Sequence, residues 1–241
     1  QAKGRPSDNP LIVHVSSIGA VRSLAAAVSP PCERLMREFW PGPLTLIFPR
    51  SNSVPPEVTA GLETVAIRCP DHPVALALID LAGVPVAAPS ANVSGRPSPT
   101  NAQHVLRDLF GRIEAVVDGG PTGYGVESTV LEVLADGEAR VLRPGAVTVE
   151  ELEEVLGRGR VSVAEDAPAG PAPSPGMKYR HYSPEAPLWL VAAPSRIIAD
   201  LALEALRRGL LPGILAETEA MADYGEVLRA GAVVLDAGSR R

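Results

Sequence analysis

Short apolar runs alternate with amphipathic stretches along most of this 241-residue chain, and proline or glycine halts nearly every one. "NPLIVHVSS" (9–17) predicts a short strand after a turn, and "IGAVRSLAAAV" a helix closed by Pro30-Pro31. "CERLMREFW" continues as helix until "PGP" at Pro41 to Pro43. "LTLIFPR" and "TVAIRCP" are short, β-branched and strand-like, and "HPVALALIDLAG" has helical spacing with a glycine stop. "VPVAAP" predicts a strand that runs into the polar, proline-rich loop "SANVSGRPSPT". "TNAQHVLRDLFG" predicts a helix capped by Thr100 or Asn101, and "STVLEVLADGEARVLRPG" a hairpin turning at Asp136-Gly137. "TVEELEEVLG" is a helix behind a Thr148 cap.

Strands and helices alternate, but the hairpin and the proline-ended strands break the rhythm. The pattern predicts an α/β fold: a twisted, open, mixed sheet flanked by helices over residues 1–160. Residues 161–186 read as a linker containing "VAEDAPAGPAPSPG", too poor in large apolar groups to pack by itself. In 187–241, "APLWLVAAP", "RIIADLALEALRRG", "LPGILAET" and "GAVVLDAGS" repeat a strand–helix–strand rhythm, which predicts a small Rossmann-like α/β domain.

Hydrophobic residues make up 46% of the chain, with no uninterrupted apolar run of membrane-spanning length. The opening "QAKGRPSDNP" has neither a signal peptide's apolar segment nor a transit peptide's amphipathic helix. Cys32 and Cys69 lie far apart with no second pair, against a disulfide scaffold or a zinc site and in favour of a cytoplasmic protein with reduced thiols. A net charge of −6 argues against tight binding of a long polyanion. Residues 1–50 nevertheless carry six basic side chains against three acidic, a local excess suited to a small anion.

Five segments carry candidate chemistry. In "KGRPSDNP", Lys3 and Arg5 are two apart, so an extended backbone would point both to one side, with Asn9 adding an amide. Such a pair suits phosphate oxygens; a solvated basic terminus is the plain alternative. Thr64 and Arg68 share a face of "TVAIR", and an arginine at a strand end can clamp a carboxylate or simply form a surface ion pair. Ser90 and Asn92, again two apart, would project together from the end of "VPVAAP", stiffened by Pro89, Pro97 and Pro99. "GGPTGYGVESTV" lets backbone approach a ligand and brings Glu127, Ser128 and Thr129 to a strand start, but no Lys follows to make a P-loop. Arg143 in "LRPG" adds one more cation. Finally, "SPGMKYRHYSP" (174–184) concentrates charge and two tyrosines in a linker, as a lid would or as a linker docked on the surface would. No nucleophile elbow and no H-E-x-x-H is present, and a lone His14 ending a strand is ordinarily structural. Any reaction is then one substrate attacking another, with the protein supplying position and positive charge.

In order and spacing, "KGRP…NPLIVHV", "FWPGPLTLI", "TVAIRCPDHP", "APSANVSGRPSPT", "GVESTVLEV", "LRPG" and "SPGMKYRHYSP" closely resemble the threonylcarbamoyl-AMP synthase (YrdC-like) family, in its longer two-domain type. The resemblance spans nearly the whole chain and implies a nucleotidyltransferase. L-Threonine, bicarbonate or CO2 and ATP would give threonylcarbamoyl-AMP and pyrophosphate, and a separate transferase complex would move the group to tRNA. Mg2+ would arrive with ATP, with no protein-bound metal site. By resemblance, Lys3, Arg5, Ser90 and Asn92 are the catalytic signature, with Lys3 facing the phosphates. Arg5, Asn9, Thr64, the backbone at Ala88, Ser90, Ser98, Arg143 and Tyr182, or else Tyr179, would contact ATP. His14, Arg68 and Ser128 would contact threonine. The family's upstream "P-T-E-T-x-Y-G-L"-like stretch is not in this sequence, so the first domain is expected to lack its N-terminal part and the second to stop short. The rival readings are an RNA-binding module of the same fold and a carbamoyl-adenylate-forming carbamoyltransferase.

Overall fold

The computed structural model describes residues 2–164 and 186–239, in two compact units divided between Pro184 and Glu185. In chain order the first unit holds β1 (Ile12–His14), α1 (Val21–Leu24), α2 (Pro30–Phe39), β2 (Leu44–Pro49), α3 (Pro56–Thr59), β3 (Thr64–Arg68) and α4 (Pro73–Ala82). It continues with β4 (Val86–Ala88), α5 (Ala102–Leu109), β5 (Thr129–Val133), β6 (Ala139–Arg143), α6 (Val149–Leu156) and β7 (Val161–Val163). The second holds α7 (Ser195–Arg207), β8 (Gly213–Ala216), α8 (Gly225–Arg229) and β9 (Val233–Asp236).

The first unit is built on a seven-stranded mixed sheet in the order β4-β1-β3-β2-β5-β6-β7. β1 runs parallel to β3, β2 parallel to β5 and β6 parallel to β7, while the other neighbours are antiparallel. Because strand side chains alternate, the register sorts residues between two faces. Val13, Leu44, Leu46, Phe48, Val65, Ile67, Leu131 and Val141 all join the large apolar cluster that α2 and α6 cover with Cys32, Leu35, Met36, Leu152 and Leu156. Among the described residues the opposite face has a small buried cluster of Ile12, Ile47, Ala66, Val130 and Leu142. That sparse face carries the site.

Local signals set the helix starts. Ser29 accepts from the Cys32 amide ahead of Pro30, Asn101 caps α5, and Thr148 with Glu151 forms a reciprocal capping box on α6. Three expectations change. The helix drawn over 18–28 is only a 3₁₀ turn (Ile18–Ala20) and α1, because Ala25 turns extended and bridges to Arg50 while the Ala26 amide bonds to Pro49 O. The linker does not begin at 161, since β7 pairs with β6 there. "APLWLVAAP" forms no strand, and Leu188, Trp189 and Leu190 are exposed. The second unit is a parallel β8-β9 pair packed on α7 and α8 around Ala199, Ala202, Ala216, Tyr224 and Val227.

Candidate functional site

A cavity of about 240 Å3 opens on the sparse face, lined by Arg5, Ile12, His14, Arg68, Ala88, Pro89, Ser90, Ala91, Ser98, Pro99, Glu127, Ser128 and Arg143. The register explains the gathering. Ile12 faces Ala88 across β1 and β4, and His14 faces Arg68 across β1 and β3. Leu44 faces Thr129 across β2 and β5, which brings Ser128 to the same end of the sheet, and β6 returns Arg143 beside it.

The hydrogen bonds fix each cation. Arg68 Nε donates to Gly42 O at 2.9 Å, which sets the plane of its fork. Arg5 Nη2 donates to Pro10 O at 2.7 Å and more weakly to Asn9 O at 3.3 Å. Arg143, 9% exposed, donates through Nη2 to Ser128 O at 2.9 Å and Ser128 Oγ at 3.1 Å. Its Nη1 meets Glu127 Oε2 at 2.5 Å, and Ser98 Oγ donates to Glu127 Oε1 at 2.6 Å. Among the described residues Glu127 is the one carboxylate on the wall, and it ties the proline-rich loop to the end of β6. Sequence reasoning placed it in the glycine-rich run without a role; the only signal was its position directly before Ser128. Gly145 is needed nearby, because a Cβ there would sit 2.3–2.5 Å from Thr129 N, Glu127 O and Ser128 C.

Electrostatics follow from this crowding. Burial, and then Arg68, drive His14 down to about 4, so its imidazole is neutral at pH 7. Burial lowers Arg68 and Arg5 from their ordinary values, and Glu127 opposes the fall in both. Among the described residues, the buried side-chain polar atoms without a hydrogen-bond partner are Arg5 Nε, Asn9 Oδ1 and His14 Nδ1. Buried polar atoms are ordinarily satisfied. All three lie on residues proposed from sequence.

The expected residues do not all arrive as drawn. Arg5, His14, Arg68, Ala88, Ser90, Ser98, Ser128 and Arg143 line the cavity. Asn9 is buried just behind Arg5. Thr64 shares the face but begins β3, paired with Pro49, roughly 13 Å of strand away from Arg68. Lys3 does not line the cavity with Arg5, because Gly4 adopts φ 67° and breaks the extended backbone that would align the two. Its ammonium bonds instead to Ser90 O, to Asn92 O at 2.6 Å and to Asn92 Oδ1 at 3.4 Å. Burial, reinforced by Arg5, brings it down to about 8. Asn92 is likewise turned inward, its amide donating to Val93 O and Arg96 O. Tyr179, Tyr182 and the rest of the expected lid fall outside the described residues. No group of three or more His, Cys, Asp or Glu among the described residues could hold a metal ion. No helix among them is long and apolar enough to cross a membrane.

Two family profiles match the chain: Sua5/YciO/YrdC, described as "Telomere recombination", over residues 1–145, and the "Threonylcarbamoyl-AMP synthase, C-terminal domain" over residues 147–237. Threonylcarbamoyl-AMP synthase of Bacillus subtilis is 51% identical over 93% of this chain, which spans 65% of that protein's length. The Pyrococcus abyssi protein of the same name is 46% identical over 92% of this chain, which spans 67% of its length. A crystal structure of P. abyssi Sua5 complexed with L-threonine superposes with a TM-score of 0.83 at 40% identity, covering 100% of this chain and 77% of that one. The chain therefore belongs to the Sua5/YrdC family, in the two-domain type that carries the threonylcarbamoyl-AMP synthase C-terminal domain.

Proposed function

We propose that the cavity joins ATP to a carbamate of L-threonine, giving threonylcarbamoyl-AMP and pyrophosphate. The supporting observation is the convergence of the Arg5, Arg68 and Arg143 guanidinium groups on one cavity, beside a neutral His14, in a chain about half identical to synthases of that name.

The threonine nitrogen adds to CO2 supplied by bicarbonate and loses a proton, giving a carbamate. One carbamate oxygen attacks the α-phosphorus, and the bond from that phosphorus to the bridging oxygen breaks as pyrophosphate leaves. This displacement needs no protein nucleophile. It needs alignment and positive charge where charge grows on the leaving group. Arg5 and Arg143 supply that charge, and Arg68 holds the threonine carboxylate bidentately. His14, uncharged at neutral pH, stands on the cavity wall beside Arg68 without adding a fourth cation. Ser128 reaches the amino acid, while Ser90, Ser98 and the Ala88 backbone meet the nucleotide. Both oxygens of Glu127 are engaged, one by Ser98 and the other by Arg143. Mg2+ would arrive on the triphosphate as ATP's companion. The adenylate would pass to a tRNA-modifying transferase complex, with the chain's net charge of −6 disfavouring tight tRNA binding here.

Incubating the purified protein with ATP, Mg2+, bicarbonate and threonine should release pyrophosphate only when threonine is present, with a new adenylate by mass. Exchange driven by carbamoyl phosphate and indifferent to threonine would overturn this reading in favour of carbamoyl transfer.

A further inference from the structure

The Lys-x-Arg and Ser-x-Asn pairs meet in space although 87 residues separate Lys3 from Ser90. We infer that Lys3 is a positioning residue: its ammonium pins the Ser90–Asn92 turn at the cavity rim and does not itself contact the nucleotide.

An ammonium has three donors, and each has an acceptor on the turn: Ser90 O, Asn92 O and Asn92 Oδ1. The main chain adds a fourth link, with the Ser94 amide donating to Lys3 O at 2.9 Å. The far side of the turn is closed by Asp108 of α5, which accepts from the Val93 amide at 3.0 Å and from Arg96 Nη1 at 2.8 Å. The Asn92 amide then braces the loop from within, at 2.9 Å to Val93 O and 2.8 Å to Arg96 O. Three oxygens converging on one point repel one another and would repel a polyphosphate. A compact cation among them removes both repulsions and leaves Ser90 set on the cavity wall. A planar guanidinium could not serve three acceptors so arranged, which separates a pin from a plain positive charge.

This inference rests on the proposed nucleotide site only for its binding arm. Hydrogen exchange of the Val93, Ser94 and Arg96 amides is measured without nucleotide in wild type, Lys3→Met and Lys3→Arg, with the β2 and β3 amides as internal reference. ATP affinity is measured by calorimetry on the same three proteins. The pin predicts that both substitutions speed loop exchange about tenfold or more while the strands stay protected. ATP affinity should fall in both, including the variant that keeps its charge. Loop exchange unchanged in Lys3→Met, or wild-type ATP affinity in Lys3→Arg, would overturn the inference. If Lys3→Met also loses strand protection, Lys3→Arg decides by the same criteria. If wild type binds no ATP, the nucleotide reading falls, and the exchange comparison still decides the pin.

Discussion

The two faces of the seven-stranded sheet share the same strands and differ in almost everything else. Under α2 and α6, alternate residues are large, apolar and fully buried, as Leu46, Phe48, Ile67 and Leu131 are. One residue along, the same strands present His14, Thr45, Arg68 and Glu132, with an apolar cluster of five buried residues among those described. The first face is stabilised by removing hydrocarbon from water; the second gathers three guanidinium groups and, among the described residues, a single carboxylate on the cavity wall. A face organised for ligand should tolerate truncation in stability and fail in binding. A face organised for packing should do the reverse.

The largest effect should come from the packed face. Leu131→Ala is expected to lower unfolding stability by about 4 kcal/mol in urea titrations, as buried leucine truncations do, with ATP affinity of the folded fraction unchanged. Next comes pH. His14 titrates near 4 when folded against 6.5 when unfolded, so its contribution is complete above about 6.5 and is lost as pH falls toward 4. Stability should fall across that window by about 3 kcal/mol more in wild type than in His14→Gln, read from urea midpoints at pH 7 and pH 4. Arg68→Ala should cost about 2 kcal/mol in threonine affinity, a loss of roughly thirtyfold, with ATP affinity and melting temperature nearly unchanged. Equal losses for both ligands would blur the division between the two subsites. The smallest effect is Ser90→Ala, about 1 kcal/mol in ATP binding by calorimetry and nothing in stability, because Ser90 sits on the exposed rim.

Much of the packed face was legible in the sequence because it follows local rules. β-Branched runs halted by proline became β2 and β3, Asp136-Gly137 turned the hairpin, and Thr148 capped α6. The functional face was legible as a set of residues and less so as an arrangement. The strand order that sets His14 beside Arg68, and Ser128 beside Arg143, depends on pairings between distant segments that no spacing encodes. The Lys3 and Asn92 geometries were misjudged for a local reason: a two-residue spacing implies a shared side only in extended backbone, and Gly4 and the Ser90–Asn92 turn are not extended. Glu127 went without a role because its importance lies in joining Ser98 to Arg143. "APLWLVAAP" has a strand's composition yet pairs with nothing among the described residues, a reminder that strand propensity takes effect only where a partner edge is supplied.

The central claim is that the sparse sheet face is where nucleotide and amino acid meet. A crystal structure of the protein with a non-hydrolysable ATP analogue and threonine tests it most directly. Phosphate oxygens within hydrogen-bonding distance of Arg5 and Arg143, with the threonine carboxylate on Arg68, are the predicted result. A triphosphate bound elsewhere, with those three guanidinium groups untouched, would contradict it.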